Sequence, residues 1–100
     1  MADLRRLEGF DWDAGNSRKS SHKHGVTQAE AEQVFFDDGL LVMTDDRHSA
    51  REERYHALGR MGEGRHLHVT FTLRGGGRLI RVISARAMSR KERAHYGQEA

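Results

Sequence analysis

The sequence predicts an α+β fold, in which a curved antiparallel β-sheet has its helices before and after the main run of strands. Two glycine-rich turns, Gly62-Glu63-Gly64 and Gly75-Gly76-Gly77, separate three consecutive segments of strand character. Turns this short join antiparallel neighbours, so the three segments form a β-meander. Two capping boxes, Thr27-Gln28-Ala29-Glu30 and Ser89-Arg90-Lys91-Glu92, begin helices on either side of that region. Strands segregated from helices along the chain indicate the α+β class.

The N-terminal part is predicted to form a short strand and a polar helix. Alternation over Leu7–Asp13 places Phe10 and Trp12 on one face of a strand. Asp13 can then cap a helix over residues 14–23, because its carboxylate can accept the unpaired N–H groups of the first turn. Gly25 stands where helices often end.

A second helix and a second strand precede the meander. The helix begins at Thr27, and its buried stripe consists of residues at helical spacing, Ala31, Val34 and Phe35. Leu40–Thr44 is predicted to be a short strand, which a polar loop connects to the meander.

The meander consists of three predicted strands, Arg54–Met61, Arg65–Arg74 and Arg78–Ala87. In the middle strand, apolar and polar side chains alternate, so that one face carries Leu67, Val69, Phe71 and Leu73. In the last strand, strict alternation predicts one face that carries Ile80, Val82, Ser84 and Arg86. The second capping box then begins a C-terminal helix.

The composition indicates a single domain over residues 1–100. Hydrophobic residues make up 36% of the chain and fall in organised runs, which distinguishes the sequence from a disordered one. No apolar run is long enough to cross a membrane, and residues 1–7 lack the apolar stretch of a secretory signal. Cysteine is absent, which excludes disulfides and thiolate zinc sites. We therefore expect a cytoplasmic protein with no membrane partner.

The net charge of +2 conceals a difference between the two halves of the chain. Residues 1–50 carry 6 Lys and Arg against 10 Asp and Glu, net −4, whereas residues 51–100 carry 11 against 5, net +6. Fourteen of the 17 basic residues are arginine, whose planar guanidinium pairs with phosphate and stacks on bases. This pattern favours a surface for nucleic acid, although a solvated basic face in an arginine-rich proteome explains it equally well.

Several short segments form a combination that is typical of one protein family. In the first half they are Phe10-Asp11-Trp12-Asp13, Lys23-His24-Gly25-Val26, Ala31, Val34-Phe35-Phe36, Asp46 and His48-Ser49. In the second half they are Glu53-Arg54, Ala57-Leu58-Gly59-Arg60, Arg81-Val82-Ile83-Ser84-Ala85-Arg86, Arg90-Lys91-Glu92-Arg93 and Tyr96. Over about residues 8–97, the chain resembles the BrnT family. The Lys-His-Gly segment near the front combined with the Ile-Ser-Ala-Arg segment near the end is the specific part.

The resemblance implies a fold, an activity and a partner. BrnT proteins are ribonuclease toxins of type II toxin–antitoxin systems, with a fold similar to RelE. Each is held inactive by an antitoxin, BrnA, which has a ribbon-helix-helix DNA-binding part, and the complex represses its own operon. We therefore expect a RelE-like endoribonuclease that acts on RNA, binds a BrnA-like antitoxin, and meets DNA only through that antitoxin.

A ribonuclease that uses no metal ion or other cofactor needs three kinds of group. A base takes the 2′-hydroxyl proton, an acid protonates the leaving 5′-oxygen, and positive charge stabilises the transition state. His24 is the predicted acid or base, because imidazole titrates near neutrality. A histidine beside a glycine at a helix end can equally cap the helix. Arg60 and Arg86, at strand ends, are predicted to bind the phosphate, unless they form surface salt bridges.

Further residues are predicted to contact RNA. They are Lys23, Arg65, His66, His68, Arg81, Arg90 and Tyr96. Structural alternatives exist for several: Arg81 can be half-buried and paired, and Tyr96 can pack the last helix on the sheet. A metal site at the two strand histidines is disfavoured, because the sequence places no third ligand near them. The sequence also leaves open a non-catalytic nucleic-acid-binding or protein-interaction module.

Overall fold

The structure of the chain, a computed structural model, describes residues 7–16, 25–45, 47, 52–62 and 64–99. In chain order, the elements are strand β1 (Gly9–Phe10), helix α1 (Gln28–Val34), strands β2 (Leu41–Asp45), β3 (Arg54–Arg60), β4 (His66–Arg74) and β5 (Leu79–Ala87), and helix α2 (Arg90–Glu99). Residues 14–16 are also helical. In this described part, no helix is long and apolar enough to cross a membrane.

The described strands form one sheet in the order β1-β5-β4-β3-β2. Strands β3, β4 and β5 are the predicted antiparallel meander, and β2 pairs antiparallel with β3 at one edge. At the other edge, β1 pairs in parallel with β5, a long-range contact that the short turns could not predict. The Asp11 N–H extends this pairing by donating to the Ile80 carbonyl at 2.7 Å. The predicted α+β class and antiparallel sheet are therefore confirmed.

Both predicted capping boxes begin helices. At α1, Thr27 Oγ1 accepts the Glu30 N–H at 3.2 Å, and the Glu30 carboxylate accepts the Thr27 N–H at 2.9 Å. At α2, Ser89 Oγ accepts the Glu92 N–H at 3.2 Å, and Glu92 Oε1 accepts the Ser89 N–H at 2.9 Å. These reciprocal bonds satisfy N–H groups that have no partner within the helix, which explains where each helix begins.

The polar helix predicted after Asp13 is described only over its first turn. The Asn16 N–H donates to Asp13 Oδ1 at 3.1 Å, which is the predicted cap. The Asn16 side chain, in turn, accepts the Asp13 N–H at 2.7 Å and donates to the Val82 carbonyl of β5 at 3.1 Å. Most of the predicted helix, which extends to residue 23, lies outside the described residues.

A β-bulge interrupts the pairing of β4 with β5. Thr70 pairs with Ser84, but the next residue, Phe71, pairs with Val82, so Ile83 is an extra residue in β5. An extra residue in one strand reverses the side-chain alternation beyond it. The bulge therefore divides β5 into two segments whose side chains follow opposite parity.

The bulge corrects the predicted face of β5. Ala85, rather than Ser84, joins Ile80 and Val82 in the main buried core. The prediction that Arg86 shares a face with Ile80 and Val82 was wrong, because it assumed strict alternation through the strand. Arg86 instead lies on the opposite face of the sheet, where it pairs across the strands with His68.

Two hydrophobic clusters lie on opposite faces of the sheet. The main core joins the sheet to α1 and contains the apolar side chains that the β4 alternation predicted, and its fully buried members include Val34, Leu67, Val69 and Phe71. The smaller cluster fixes α2 on the other face, where Tyr96 and Met88 pack against Leu58. Leu41 and Met43 of β2 pack against this cluster, and polar side chains lie beside it on the same face.

Candidate functional site

The face of the sheet that α2 partly covers carries a row of polar side chains, which we call the polar face. From β2 across the sheet to α2, its members are Asp45, His56, Arg60, His66, His68, Thr70, Arg86 and Glu92. Directly opposed residues of neighbouring strands project to the same side. The β3–β4 register opposes Arg60 and His66, and the β4–β5 register opposes His68 and Arg86. The fold thus brings together five predicted site residues, Arg60, His66, His68, Arg86 and Tyr96.

Glu92, in the first turn of α2, is contacted by two groups of the polar face, Arg86 and His68, and by its own cap. Arg86 donates two hydrogen bonds to the carboxylate, from Nη1 to Oε1 at 2.8 Å and from Nη2 to Oε2 at 2.9 Å. His68 Nδ1 lies 2.9 Å from Glu92 Oε2. Burial works against the charged form, but the hydrogen bonds from Arg86 and the Ser89 N–H, with the charge of His68, lower the pKa of Glu92 to about 2. Glu92 is therefore a carboxylate that orients Arg86.

Two histidines of the polar face are in direct contact. His68 Nε2 lies 2.8 Å from His56 Nδ1, and the ring centroids are 4.8 Å apart. The other nitrogen of His56, Nε2, lies 2.9 Å from Asp45 Oδ2, and Thr70 Oγ1 lies 3.1 Å from His56 Nδ1. His68 is 9% exposed, and burial lowers its pKa. The predicted RNA contact His68 is thus largely enclosed by other protein groups.

Tyr96 packs the last helix on the sheet, which is the structural alternative that the sequence offered for this residue. Its hydroxyl donates to Asp37 Oδ2 at 2.5 Å, and its ring lies 5.6 Å, centroid to centroid, from the ring of His66. Asp37 Oδ2 also accepts the backbone N–H of Arg60 at 2.8 Å. Burial opposes ionisation of Asp37, but these hydrogen bonds prevail and lower its pKa. Burial and the bond to Asp37 raise the pKa of Tyr96.

Two members of the polar face, Arg60 and His66, have side chains without a hydrogen bond or ion pair to another described residue, although the charge of Arg60 helps to lower the pKa of Asp37. The Arg60 side chain is exposed and, among the described residues, makes no hydrogen bond or ion pair. The half-buried His66 ring packs against the Tyr96 ring in a T-shaped contact. Neither ring nitrogen of His66 has a hydrogen-bond partner among the described residues. Arg86, by contrast, forms hydrogen bonds with three of its five N–H donors, two to Glu92 and one to the Ala87 carbonyl.

Two other predicted RNA contacts, Arg81 and Arg65, are paired with carboxylates of the N-terminal part of the chain. Arg81 Nη2 donates to Asp13 Oδ2 at 2.9 Å, so Arg81 takes the half-buried, paired alternative. Arg65 donates from Nη1 to Glu30 at 3.0 Å and to the Gly25 carbonyl at 3.3 Å. Both arginines therefore join the N-terminal part of the chain to the sheet.

The remaining predicted residues are placed as follows. His24 and Lys23 lie outside the described residues. Arg90 is exposed at the start of α2 and makes no ion pair within the described part of the chain. In that part, no group of three or more His, Asp or Glu side chains is arranged to hold a metal ion.

Sequence reasoning missed three residues that organise the polar face, His56, Glu92 and Asp37. Glu92 was identified from the sequence only as a capping residue. Its position six residues after Arg86 was a further signal, because it allows the carboxylate to reach that arginine. His56 lies at an alternate position of a predicted strand, which is a signal for a shared face once the register is known. No local pattern predicts the contact between Asp37 and Tyr96, because the two residues are 59 positions apart.

The fold and the polar face define a small α+β protein with arginine and histidine side chains gathered on one side of its sheet. The model of the family described as ribonuclease toxin, BrnT, of type II toxin–antitoxin system matches residues 12–92. The chain belongs to this family, which confirms the resemblance, and it is thereby a ribonuclease toxin with an RNA substrate and an antitoxin partner.

A solved structure is also similar in fold. The crystal structure of the Brucella abortus ribonuclease toxin, BrnT, at 1.1 Å resolution, aligns with a TM-score of 0.63 at 22% sequence identity. The alignment covers 84% of this chain and 100% of that chain. No curated protein matches the sequence significantly.

Proposed function

We propose that this chain cleaves RNA on its polar face by attack of the 2′-hydroxyl on the adjacent phosphate, without a metal ion. The observation that supports this most is the pair formed by Arg60 and His66, whose side chains make no hydrogen bond or ion pair with the described part of the chain. The two residues oppose each other across β3 and β4, so their side chains start about 5 Å apart on one face. Cationic groups and imidazoles without protein partners are what a phosphate and a transferred proton require.

The proposed division of roles follows from what each group can still bind. No described residue accepts a hydrogen bond from the Arg60 guanidinium, which binds the scissile phosphate. Arg86 is oriented by Glu92 and turns its remaining donors outward, since its side chain is 39% exposed. These two residues stabilise the charge that develops on the phosphate oxygens. His24 and His66 are the acid and base, because an imidazole can take or give a proton near neutral pH.

The contact between Arg65 and Gly25 supports the assignment of His24. Gly25 is bonded to His24 in the chain, and its carbonyl accepts a hydrogen bond from Arg65, the residue before His66. The segment that follows His24 is thus attached to the start of β4, at the same end of the sheet as Arg60 and His66.

The other predicted RNA contacts are proposed to act in two ways. Lys23 and Arg90 hold the RNA backbone through charge, and Arg65 and Arg81 add positive potential while they stay paired with Glu30 and Asp13. His68 and Tyr96 are each less than 10% exposed, so they support the site by holding Arg86 and His66 in place.

We further propose that the antitoxin is a BrnA-like protein with a ribbon-helix-helix part, and that this chain meets DNA only through it, in the cytoplasm. Co-expression with such a partner is expected to restore growth and to yield a complex that elutes as one species. A chain that stays unbound and toxic beside a BrnA-like protein would contradict the partner assignment.

A cleavage assay tests the proposal. Purified protein is incubated with single-stranded RNA in EDTA, as wild type and as the variants His24→Gln, Arg86→Gln and Arg74→Gln. Wild type and Arg74→Gln are expected to cut RNA equally, because Arg74 pairs with Glu52 at the exposed far end of β4. The His24 and Arg86 variants are expected to lose cleavage by about 100-fold or more.

Two results would contradict parts of the proposal. Cleavage that disappears in EDTA and returns with Mg²⁺ would overturn the metal-free mechanism. RNA binding with a steep salt dependence but no cleavage by wild type would favour the non-catalytic nucleic-acid-binding module. Circular dichroism on each variant verifies that lost activity does not reflect unfolding.

A further inference from the structure

An open cleft lies where the turn after α1 meets the end of β3. Its lining residues are Gln33, Phe36, Asp37, Asp38, Arg60 and Gly62. The volume of the cleft is about 310 Å³. This is at the lower end of the range for small-ligand pockets, roughly 300–1,000 Å³. The cleft therefore has room for a small group, such as one nucleotide of a longer strand.

Phe36 is the member of this cleft that the packing of the core does not use. Its side chain is 78% exposed, and no other large hydrophobic side chain of the described residues is exposed. Phe10, Phe35 and Phe71, by contrast, pack edge to face in or against the main core. An aromatic ring in water can gain free energy by stacking on another planar group. The Phe36 ring is therefore available to a planar ligand.

The turn that carries Phe36 is attached to the strand end that carries Arg60. The Phe36 N–H donates to the Gln33 carbonyl at 3.1 Å, and Gln33 Oε1 accepts the Gly62 N–H at 3.2 Å. The next residue, Asp37, accepts the Arg60 N–H at 2.8 Å. These bonds hold both backbones in place, so a ligand that contacts the ring and the guanidinium orders little more than two side chains.

The charges of the cleft indicate where each part of a nucleotide fits. Arg60 is the cation among the lining residues, and its exposed guanidinium donates to no acceptor in the described part of the chain. Asp37 and Asp38 are acidic, and hydrogen bonds lower the pKa of Asp37. A phosphate is attracted to Arg60 and repelled by the two carboxylates. A base is uncharged and carries N–H groups that a carboxylate can accept, so a base suits the rest of the cleft.

We propose that Phe36 and Arg60 form one nucleotide subsite, in which the Phe36 ring stacks on a base of the RNA and the Arg60 guanidinium binds the phosphate that adjoins it. The phosphate contact rests on the proposed ribonuclease function. The base must be unpaired, because the faces of paired bases are covered by their neighbours in a helix. Every base has a face that can stack, so Phe36 contributes affinity and position rather than a choice of base.

A protein side chain is the competing occupant of the Phe36 surface. Phe36 also lines an apolar recess, together with Leu7, Phe10, Phe35 and Ile80. RNA is favoured, because the ring shares its other cleft with a guanidinium that has no described acceptor. An aromatic ring beside a cation is the combination that binds single-stranded nucleic acid. Leucine keeps the apolar character of this position and removes the ring, so Phe36→Leu separates the two occupants.

A binding experiment with two probes tests the stacking. The first probe is a single-stranded RNA of about eight nucleotides, which carries 2′-fluoro groups so that no 2′-hydroxyl can attack. The second is an abasic strand of the same length. Phe36→Leu is expected to bind the first probe about 10-fold more weakly than wild type, whereas Phe36→Tyr stays within about twofold. Both variants are expected to bind the abasic strand as wild type does, because it has no base to stack.

Two results of the binding experiment would overturn the subsite. One is equal affinity of wild type and Phe36→Leu for the RNA probe. The other is a loss in Phe36→Leu that is as large on the abasic strand as on the RNA. Because Phe36 is exposed, the variants are expected to fold as wild type does, and circular dichroism verifies this. A Phe36→Leu protein that binds RNA normally but its antitoxin more weakly would assign the ring to the protein partner.

Cleavage of unmodified RNA tests the link between the base and the scissile phosphate. Phe36→Leu is expected to raise KM about 10-fold with little change in kcat, because stacking binds the substrate and its transition state equally. An unchanged KM would separate the ring from the cleaved nucleotide and overturn the shared subsite. If wild type cuts no RNA, the proposed function fails, and the binding experiment still decides whether Phe36 stacks on a base.

Discussion

The hydroxyl of Tyr96 donates to Asp37 Oδ2 at 2.5 Å, and the same oxygen accepts the backbone N–H of Arg60 at 2.8 Å. One carboxylate thereby joins the C-terminal helix, the turn after α1 and the end of β3. Asp37 Oδ1 also accepts the Gly39 N–H at 3.2 Å, so both oxygens of Asp37 are used. This junction fixes the backbone from which the exposed side chain of Arg60 extends.

Tyr96→Phe is expected to destabilise the protein by about 1–2 kcal/mol. The ring still packs on Leu58 and Met88, but Asp37 loses the hydrogen bond from a tyrosine that is 8% exposed. Urea unfolding at pH 7 measures the loss. Equal stability of Tyr96→Phe and wild type would show that the hydroxyl contributes nothing to docking of α2.

Local sequence signals predicted helices α1 and α2 and the meander. Both capping boxes formed, because each depends on residues three positions apart, Thr27 with Glu30 and Ser89 with Glu92. The parallel pairing of β1 with β5 was missed, because it joins residues 70 positions apart, such as Gly9 and Leu79. No turn or periodicity carries information over that distance.

Asn16→Ala is expected to cost about 2–3 kcal/mol, because it removes the side chain that joins the N-terminal segment to β5. The buried Asn16 amide donates to the Val82 carbonyl next to the β-bulge and accepts the Asp13 N–H, and both partners would lose a hydrogen bond. Urea unfolding compares this variant with Gln33→Ala, which removes one exposed bond to Gly62 and should cost less than about 1 kcal/mol. Equal losses in the two variants would contradict a special role for Asn16.

Gly59→Ala is expected to destabilise the protein by about 1–3 kcal/mol, because the site has no room for a Cβ. A Cβ at this position would lie 2.7 Å from Val34 Cγ1 and 3.0 Å from the Val34 carbonyl, so α1 would have to move away from β3. Gly62→Ala is the matched control, because its Cβ would approach only the flexible end of Gln33, at 3.6 Å. Thermal unfolding should separate the two variants, and a Gly59→Ala protein as stable as Gly62→Ala would mean that α1 adapts without cost.

The site was less predictable than the fold. Arg60 and Arg86 were identified from their places at strand ends, but which face each occupies depends on the register and on the bulge at Ile83. A bulge leaves no sequence signature here, since Ile83 fits regular alternation equally well. The Glu92–His68–His56 row needs β3, β4 and α2 together, so no single segment of the sequence could reveal it.

Stability is expected to fall as the pH is lowered from about 4.5 to about 2, in part because of Glu92. Its pKa is about 2 in the folded protein and 4.5 ordinarily, since Arg86 and the Ser89 N–H favour the carboxylate despite burial. A lowered folded-state pKa means that the stabilisation is complete above pH 4.5 and is lost as the pH falls toward 2. Urea unfolding of Glu92→Gln should show a lower stability at neutral pH and a smaller fall over this range. Glu52→Gln, at the exposed far end of the sheet, should keep the full dependence.

Arg60→Gln and Arg60→Lys are expected to separate charge from geometry at the phosphate. Among the described residues, the Arg60 side chain has no protein partner, so neither change disturbs an ion pair, and the backbone bond from residue 60 to Asp37 is kept. Arg60→Gln removes the cation and should lower kcat for RNA cleavage about 100-fold or more. Arg60→Lys keeps the charge but loses the planar guanidinium, so its kcat should lie between those of Arg60→Gln and wild type. Single-turnover cleavage with urea unfolding as a companion measurement distinguishes lost catalysis from lost folding. If Arg60→Gln cuts RNA at the wild-type rate while remaining folded, Arg60 does not bind the scissile phosphate.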